Sequence, residues 1–297
     1  MQLPFCAAVE NYNSIMAPNY IYWNVNPEII NVFGISIRYY GLLFVGGLIL
    51  SIYILSKIFK LENIPPKYLD KLSIYGMIGI IIGARLGHCL FYEPSYYLAH
   101  PLEMILPLQQ QPGGGFKFSG YQGLASHGGA IGIIIALIIY HRKTKQSMLK
   151  TIDLVSIVGP LAGCFIRLGN LMNSEIIGLP TTKPWAFVFA RVDNLPRHPA
   201  QLYEAIAYFL IFLTMLLLYN NWREKLQNGF FFGLTLTLVF VARFLIEFIK
   251  ENQVGFEENL TINMGQILSI PYILVGIAFM IYGFVKTNKL SDIKQHT

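Results

Sequence analysis

Charge is scarce in this chain. Asp, Glu, Lys and Arg make up 13% of its 297 residues, against about 25% in soluble domains, and 54% of the residues are hydrophobic. A water-soluble domain is thereby excluded, and the class is an integral membrane protein. Cysteine is also sparse: Cys6, Cys89 and Cys164 show no CxxC spacing, so neither a metal cluster nor a disulfide framework is expected. Cys89 and Cys164 stand in apolar stretches, where a small buried side chain is the plain reading. The aspartates, Asp70, Asp153, Asp193 and Asp292, are dispersed and build no acidic cluster for a divalent cation. The first 30 residues lack a basic stretch followed by an apolar run, so no cleaved signal peptide is expected. The net charge of +6 comes without a basic patch interleaved with aromatics, which argues against a nucleic-acid partner.

What the chain has is long apolar runs. Windows near 36–56, 72–92, 122–141, 152–172, 200–219, 229–250 and 264–285 each approach the 20 or so residues that a bilayer-spanning helix needs. The expected fold is therefore all-α: a polytopic membrane protein of about seven spans, forming a single transmembrane domain over 1–297. Glycine is frequent within the spans, as in 76-GMIGIIIGARLG-87 and 128-GGAIG-132. Small residues allow close helix approach where lipid supplies no hydrophobic push.

Basic residues set the expected orientation. Lys57, Lys60, Lys67 and Lys71 follow the first window; Arg142, Lys143, Lys145 and Lys150 follow the third. Arg223 and Lys225 follow the fifth, and Lys286, Lys289 and Lys294 the seventh. The other side holds fewer despite longer loops: Arg38, Lys117, Lys183, Arg191, Arg197 and Lys250. The positive-inside rule then places the N-terminus outside and the C-terminus in the cytoplasm. Two longer connections, near 93–121 and 173–199, would be external. The first includes the turn-rich piece Gln109-Gln-Gln-Pro-Gly-Gly-Gly115.

On that orientation the intramembrane polar residues share one level. Counting about 1.5 Å per residue, Arg85 and His88, Arg167 and Asn170, Arg243 and Glu247, His127, and Arg38 with Tyr39 and Tyr40 all fall in the outer leaflet. An ion pathway would string such groups across the whole thickness. A buried arginine costs about 3 kcal/mol on insertion scales, so a partner or a task must retain it. The stretch Ile166-Arg-Leu-Gly-Asn-Leu-Met-Asn-Ser-Glu-Ile-Ile-Gly178 puts a cation, amides and a carboxylate at one span exit. That combination suits a polar lipid headgroup. Arg85-Leu-Gly-His88 is a short echo of Arg167-Leu-Gly-Asn170.

Plainer readings stand beside these. His127 precedes Gly128 and Gly129 and could simply cap a close helix contact, although histidine can also exchange a proton near neutral pH. Arg243 and Glu247 are spaced i, i+4 and could neutralise one another or bind phosphate. Tyr39 reads as an interfacial aromatic. A small-solute transporter would want charges at mid-depth and paired broken helices. Another headgroup enzyme would want a metal-binding Asp cluster or a nucleophile with its base. Neither pattern is evident.

Taken together, the motifs resemble those of bacterial prolipoprotein diacylglyceryl transferases over nearly the whole chain. The family signature reads approximately G-R-x-G-N-F-x-N-x-E-x-x-G, and Arg167, Gly169, Asn170, Asn173, Glu175 and Gly178 match it, with Ile166 and Leu171 as departures. Further matching pieces are Arg38-Tyr-Tyr-Gly41, Ser126-His-Gly-Gly-Ala-Ile-Gly132, Arg197-His-Pro-Ala-Gln-Leu-Tyr-Glu204, Arg243 with Glu247, and Met264-Gly-Gln-Ile-Leu-Ser-Ile-Pro271. Relatives carry a tyrosine where this chain has Val239, so any hydroxyl role there is absent or moved.

The resemblance implies transfer of an sn-1,2-diacylglyceryl group from phosphatidylglycerol to the lipobox cysteine of a prolipoprotein that still carries its signal peptide. It implies a multi-pass protein of the bacterial cytoplasmic (inner) membrane, embedded in lipid bilayer, with no nucleic-acid partner and no metal or cofactor. The nucleophile would be the substrate's thiolate. On this reading His127, Arg167, Arg243 and Tyr40 are the catalytic candidates, the arginines for their fork geometry toward phosphate. Arg167, Asn170, Asn173, Glu175, Gly178, Glu247 and Arg85 are the candidates for binding substrate.

Overall fold

The computed structural model describes residues 20–32, 35–106, 108–111, 114–118, 123, 125–251 and 262–295. Cys6, and Pro112 with Gly113 of the turn-rich piece, lie outside the described residues. In chain order the elements are β1 (Ile21–Trp23), β2 (Glu28–Val32), β3 (Ile35–Arg38), α1 (Tyr39–Leu61), α2 (Pro66–Phe91), α3 (Pro94–Ala99) and α4 (Pro101–Ile105). There follow β4 (Leu108–Gln110), β5 (Phe116–Phe118), α5 (Ser126–Thr144), α6 (Met148–Asn173), β6 (Phe187–Phe189) and β7 (Pro196–Arg197). The chain continues with α7 (Ala200–Trp222), α8 (Phe230–Ile246), a 3-10 turn (Glu247–Ile249) and α9 (Met264–Gln295).

Among the described residues each apolar window falls largely within a helix, and the fold is all-α with small strands in the connections. Among the described residues six helices are long and apolar enough to cross a membrane. The exception is α5, whose Ser126-His127 start and His141-Arg142-Lys143 end dilute its apolar centre. Several helices run past the windows because backbone hydrogen bonding continues after side chains turn polar. Helix starts follow local chemistry: Pro66, Pro94 and Pro101 each open a helix, where a missing N–H costs nothing. Asn263 and Gln266 cap α9 reciprocally, side chain to backbone, at 3.0 and 3.2 Å. This is a capping-box arrangement.

The chain forms two compact units, one of residues up to Ser51 with Ser156 onward, the other Ile52–Val155. In the second unit α2 and α5 meet backbone to backbone. A methyl group on Gly83, Gly128 or Gly132 would overlap a carbonyl of the facing helix, which accounts for the glycine runs. Gln109 and Gln110 of the turn-rich piece belong to β4, which pairs antiparallel with β5, and Gly114 and Gly115 adopt positive φ.

In the first unit a three-stranded sheet runs in the order β1-β6-β7, with β1 parallel to β6 and β6 antiparallel to β7. Phe187 and Phe189 pack with Leu171 and Ile177, flanked by Trp23 and Leu202. The indole N–H of Trp23 donates to the Leu171 carbonyl at 3.1 Å. This small core therefore sits directly on the exit of α6. Helices α8 and α9 pack through Gly233, Gly276 and Gly283, each against backbone or Cβ atoms of the other helix.

Candidate active site

The end of α6 creates the site's geometry. Ser174 adopts φ 56°, its N–H donates to Leu171 O at 3.1 Å, and the N–H of Glu175 donates to Asn170 O at 3.0 Å. These are the two bonds of a Schellman cap. The cap folds Glu175 back over the last helical turn, where Asn170 Nδ2 and Asn173 Nδ2 donate to its carboxylate at 3.1 and 2.7 Å. Asn170 Oδ1 in turn accepts from Arg167 Nη1 at 3.1 Å. A cation, an amide and a carboxylate spaced three and eight residues apart thus become one hydrogen-bonded row.

The second motif lies along the first, in reverse order. Arg197 Nη1 donates to Gly178 O at 3.2 Å, and the N–H of Gly178 donates to His198 O at 2.9 Å. Gln201 Nε2 donates to Glu175 O at 2.9 Å, and Glu204 Oε2 meets Arg167 Nε at 2.6 Å. The glycine at 178 is required by this approach. A Cβ there would lie 2.6 Å from the Cβ of His198 and 2.7 Å from Ile249 O.

Helix α8 and the 3-10 turn that follows it complete the arrangement. Lys250 Nζ reaches Glu204 Oε1 at 3.5 Å and Glu247 Oε2 at 3.1 Å. Glu247 thus takes Lys250 as its partner, and among the described residues no Arg243–Glu247 pair forms. Arg243 leaves a buried Nε without a hydrogen-bond partner among the described residues. Tyr208 on α7 is buried within electrostatic reach of Glu204, Arg167 and Arg243. Val239 on α8 supplies no hydroxyl. The Tyr40 ring lies against Gly169, where a Cβ would stand 2.8 Å from its Cδ2.

Two candidates belong to the second unit. Arg85 is buried, and its guanidinium donates to the carbonyls of Glu103, Met104 and Gly123 and lies 4.8 Å over the Tyr97 ring. It thereby ties α3, α4 and the chain before α5 to α2. His127 is exposed, in the first turn of α5, with the rings of Phe91 and Tyr92 within 5.7 Å.

Outside the spans, Arg197 is nearly buried and holds Asp193 and Glu251 as well as Gly178. Its hydrogen bonds keep the Asp193 carboxyl below the usual carboxylate range. Burial, and then Lys183, push the His198 imidazole below its ordinary value. Among the described residues no three His, Cys, Asp or Glu side chains converge to hold a metal ion.

The family model described as prolipoprotein diacylglyceryl transferase matches residues 27–282. The chain belongs to the prolipoprotein diacylglyceryl transferase family. Similar relatives, each named phosphatidylglycerol–prolipoprotein diacylglyceryl transferase, occur in several bacteria. The Bacteroides fragilis protein is 57% identical over 270 residues, covering 91% of this chain and 98% of the relative. The Chloroherpeton thalassium protein is 44% identical over 273 residues, covering 92% and 97%. The Porphyromonas gingivalis protein is 42% identical over 293 residues, covering 92% and 99%.

Three residues of this candidate site are not among those that the sequence singles out. Glu204 stood in a recognised motif, and its position inside an apolar helix was the available signal: a carboxylate there needs a cation. Lys250 was read as a loop charge that sets orientation; it is instead buried, 5% exposed, because two carboxylates hold it. Tyr208 carried no signal, being one aromatic among many in α7.

Proposed function

We propose that the protein transfers the sn-1,2-diacylglyceryl group of phosphatidylglycerol to the lipobox cysteine of prolipoproteins. It acts in the outer leaflet of the bacterial cytoplasmic membrane, with its N-terminus outside and its C-terminus in the cytoplasm. The observation that carries this reading is Arg167. It is held on two nitrogens by Glu204 and Asn170, within a unit that also offers the Nε of Arg243, buried without a hydrogen-bond partner among the described residues.

The substrate thiolate attacks the glyceryl carbon that bears the phosphate. A C–S bond forms, the C–O bond breaks, and the electron pair leaves on the phosphate oxygen as glycerol phosphate. Arg167 and Arg243 hold the phosphate and offset the charge that grows on it. His127 accepts the thiol proton. Tyr40, Asn170, Asn173 and Glu175 position the headgroup through hydrogen bonds. Gly178 and Glu247 support the site, Gly178 through the close backbone approach to His198 and Glu247 through Lys250; Arg85 orders the loop carbonyls of its own unit.

The test uses purified protein, phosphatidylglycerol and a lipobox peptide still joined to its signal sequence. A thioether-linked diacylglyceryl peptide and stoichiometric glycerol phosphate are expected. Hydrolysis of the lipid with an unmodified peptide would point to a phospholipase instead.

A further inference from the structure

The charges behind Arg167 form a closed row. Glu204 has no exposed side-chain surface and bridges Arg167 and Lys250, and Lys250 passes on to Glu247. Two cations and two carboxylates make the row neutral. Such burial is a poor way to gain stability, because well-packed apolar residues of similar size generally do as well or better. The row also does more than balance charge. Glu204 takes Arg167 at Nε, and Asn170 takes it at Nη1. A charge contact at Nε and a hydrogen bond at Nη1 together restrain the plane of the guanidinium.

We infer that Glu204 is a positioning residue for the transfer reaction. It sets the plane of Arg167 toward the phosphate of the donor lipid, and Lys250, clamped by Glu247, keeps Glu204 in place. The inference rests on the reading of Arg167 as a phosphate ligand.

Kinetics in mixed micelles test it, with Arg167→Ala as the control. Glu204→Gln removes one negative charge and leaves the row with an excess cation. An anionic lipid should then bind no more weakly, so the KM for phosphatidylglycerol stays level or falls while kcat drops tenfold or more. Glu204→Asp keeps the charge but is shorter by one methylene, and should lose turnover several-fold with a melting temperature near that of the parent. Glu204→Gln combined with Lys250→Met restores neutrality, and should recover stability without recovering kcat.

A charge-balancing role alone predicts recovery of turnover in that double variant, which would overturn the inference. So would parent-like kcat in Glu204→Gln or Glu204→Asp. If Arg167→Ala abolishes transfer while Glu204→Gln retains it, positioning fails and the phosphate reading stands. If Arg167→Ala itself turns over normally, both fail together. Should Glu204→Gln not accumulate, Glu204→Asp and the neutral double variant decide the matter.

Discussion

Gly265 leaves open the space that the carboxylate of Glu247 fills. A Cβ at Gly265 would lie 2.4 Å from Glu247 Cδ. The carboxylate is thus seated at the start of α9, whose N-terminal N–H groups favour negative charge. Gly265→Ala should unseat Glu247, free Lys250, and lower transfer at least tenfold in reconstituted vesicles. Parent-like transfer in a well-folded variant would mean that Lys250 does not depend on Glu247.

Arg167→Lys keeps the positive charge and loses the planar fork. With Glu204 and Asn170 on separate nitrogens of the guanidinium, a single ammonium cannot reproduce the geometry. Activity should fall by about a hundredfold, roughly the 3 kcal/mol carried by a strong charge-assisted contact. Normal turnover at normal expression would remove phosphate clamping from this residue.

His127→Gln retains hydrogen bonding and loses the proton acceptor. Binding of phosphatidylglycerol should be near that of the parent and transfer slow at neutral pH. Raising the pH should restore part of the rate, since a free thiol ionises unaided near about 8.5. If His127 serves only packing beside Phe91 and Tyr92, the melting temperature should fall instead, and added base should restore nothing.

Ser174→Gly should stabilise the protein. Ser174 holds a left-handed backbone at φ 56° and buries a hydroxyl without a partner among the described residues. The left-handed region costs a residue with a Cβ about 1 kcal/mol. A rise in melting temperature with transfer unchanged is expected. A fall would show that the hydroxyl makes an interaction worth more than the backbone strain.

Acid should loosen the connection that carries Asp193 and His198. Both groups have lowered pKa values in the folded chain, so the unfolded chain binds more protons and stability rises with pH. The contribution of His198 is complete above about pH 6.5 and is lost as pH falls through its lower folded value. That of Asp193 is complete above about pH 3.9 and is lost below. Hydrogen exchange across 178–199 should show two steps of weakening on acidification. His198→Gln should erase the upper step only; an unchanged profile would assign that step to another group.

The helical frame was legible because apolar runs of span length have few other uses. The signature row was legible too, since Arg167, Asn170 and Glu175 are joined by local bonds along one helix end. Glu204 and Lys250 were harder for a physical reason. Their charge states make sense only when α6, α7 and the chain after α8 are brought together, and no spacing along the sequence encodes that. The choice of Lys250 over Arg243 by Glu247 is similar. Spacings of i, i+3 and i, i+4 are equally good on a helix, so the spacing alone does not choose between Arg243 and Lys250, which follows the 3-10 turn at Glu247–Ile249 and is also held by Glu204.

The parallel pairing of Ile21–Trp23 with Phe187–Phe189 has a consequence for biogenesis. The first strand is synthesised before α1, and its partner only after α6. Contacts of such long separation form late, so Trp23 waits through the making of six helices before Phe187 arrives. The sheet that roofs Leu171 and Ile177 is therefore a completion step: a chain interrupted anywhere before Phe187 inserts helices but never closes the exit of α6.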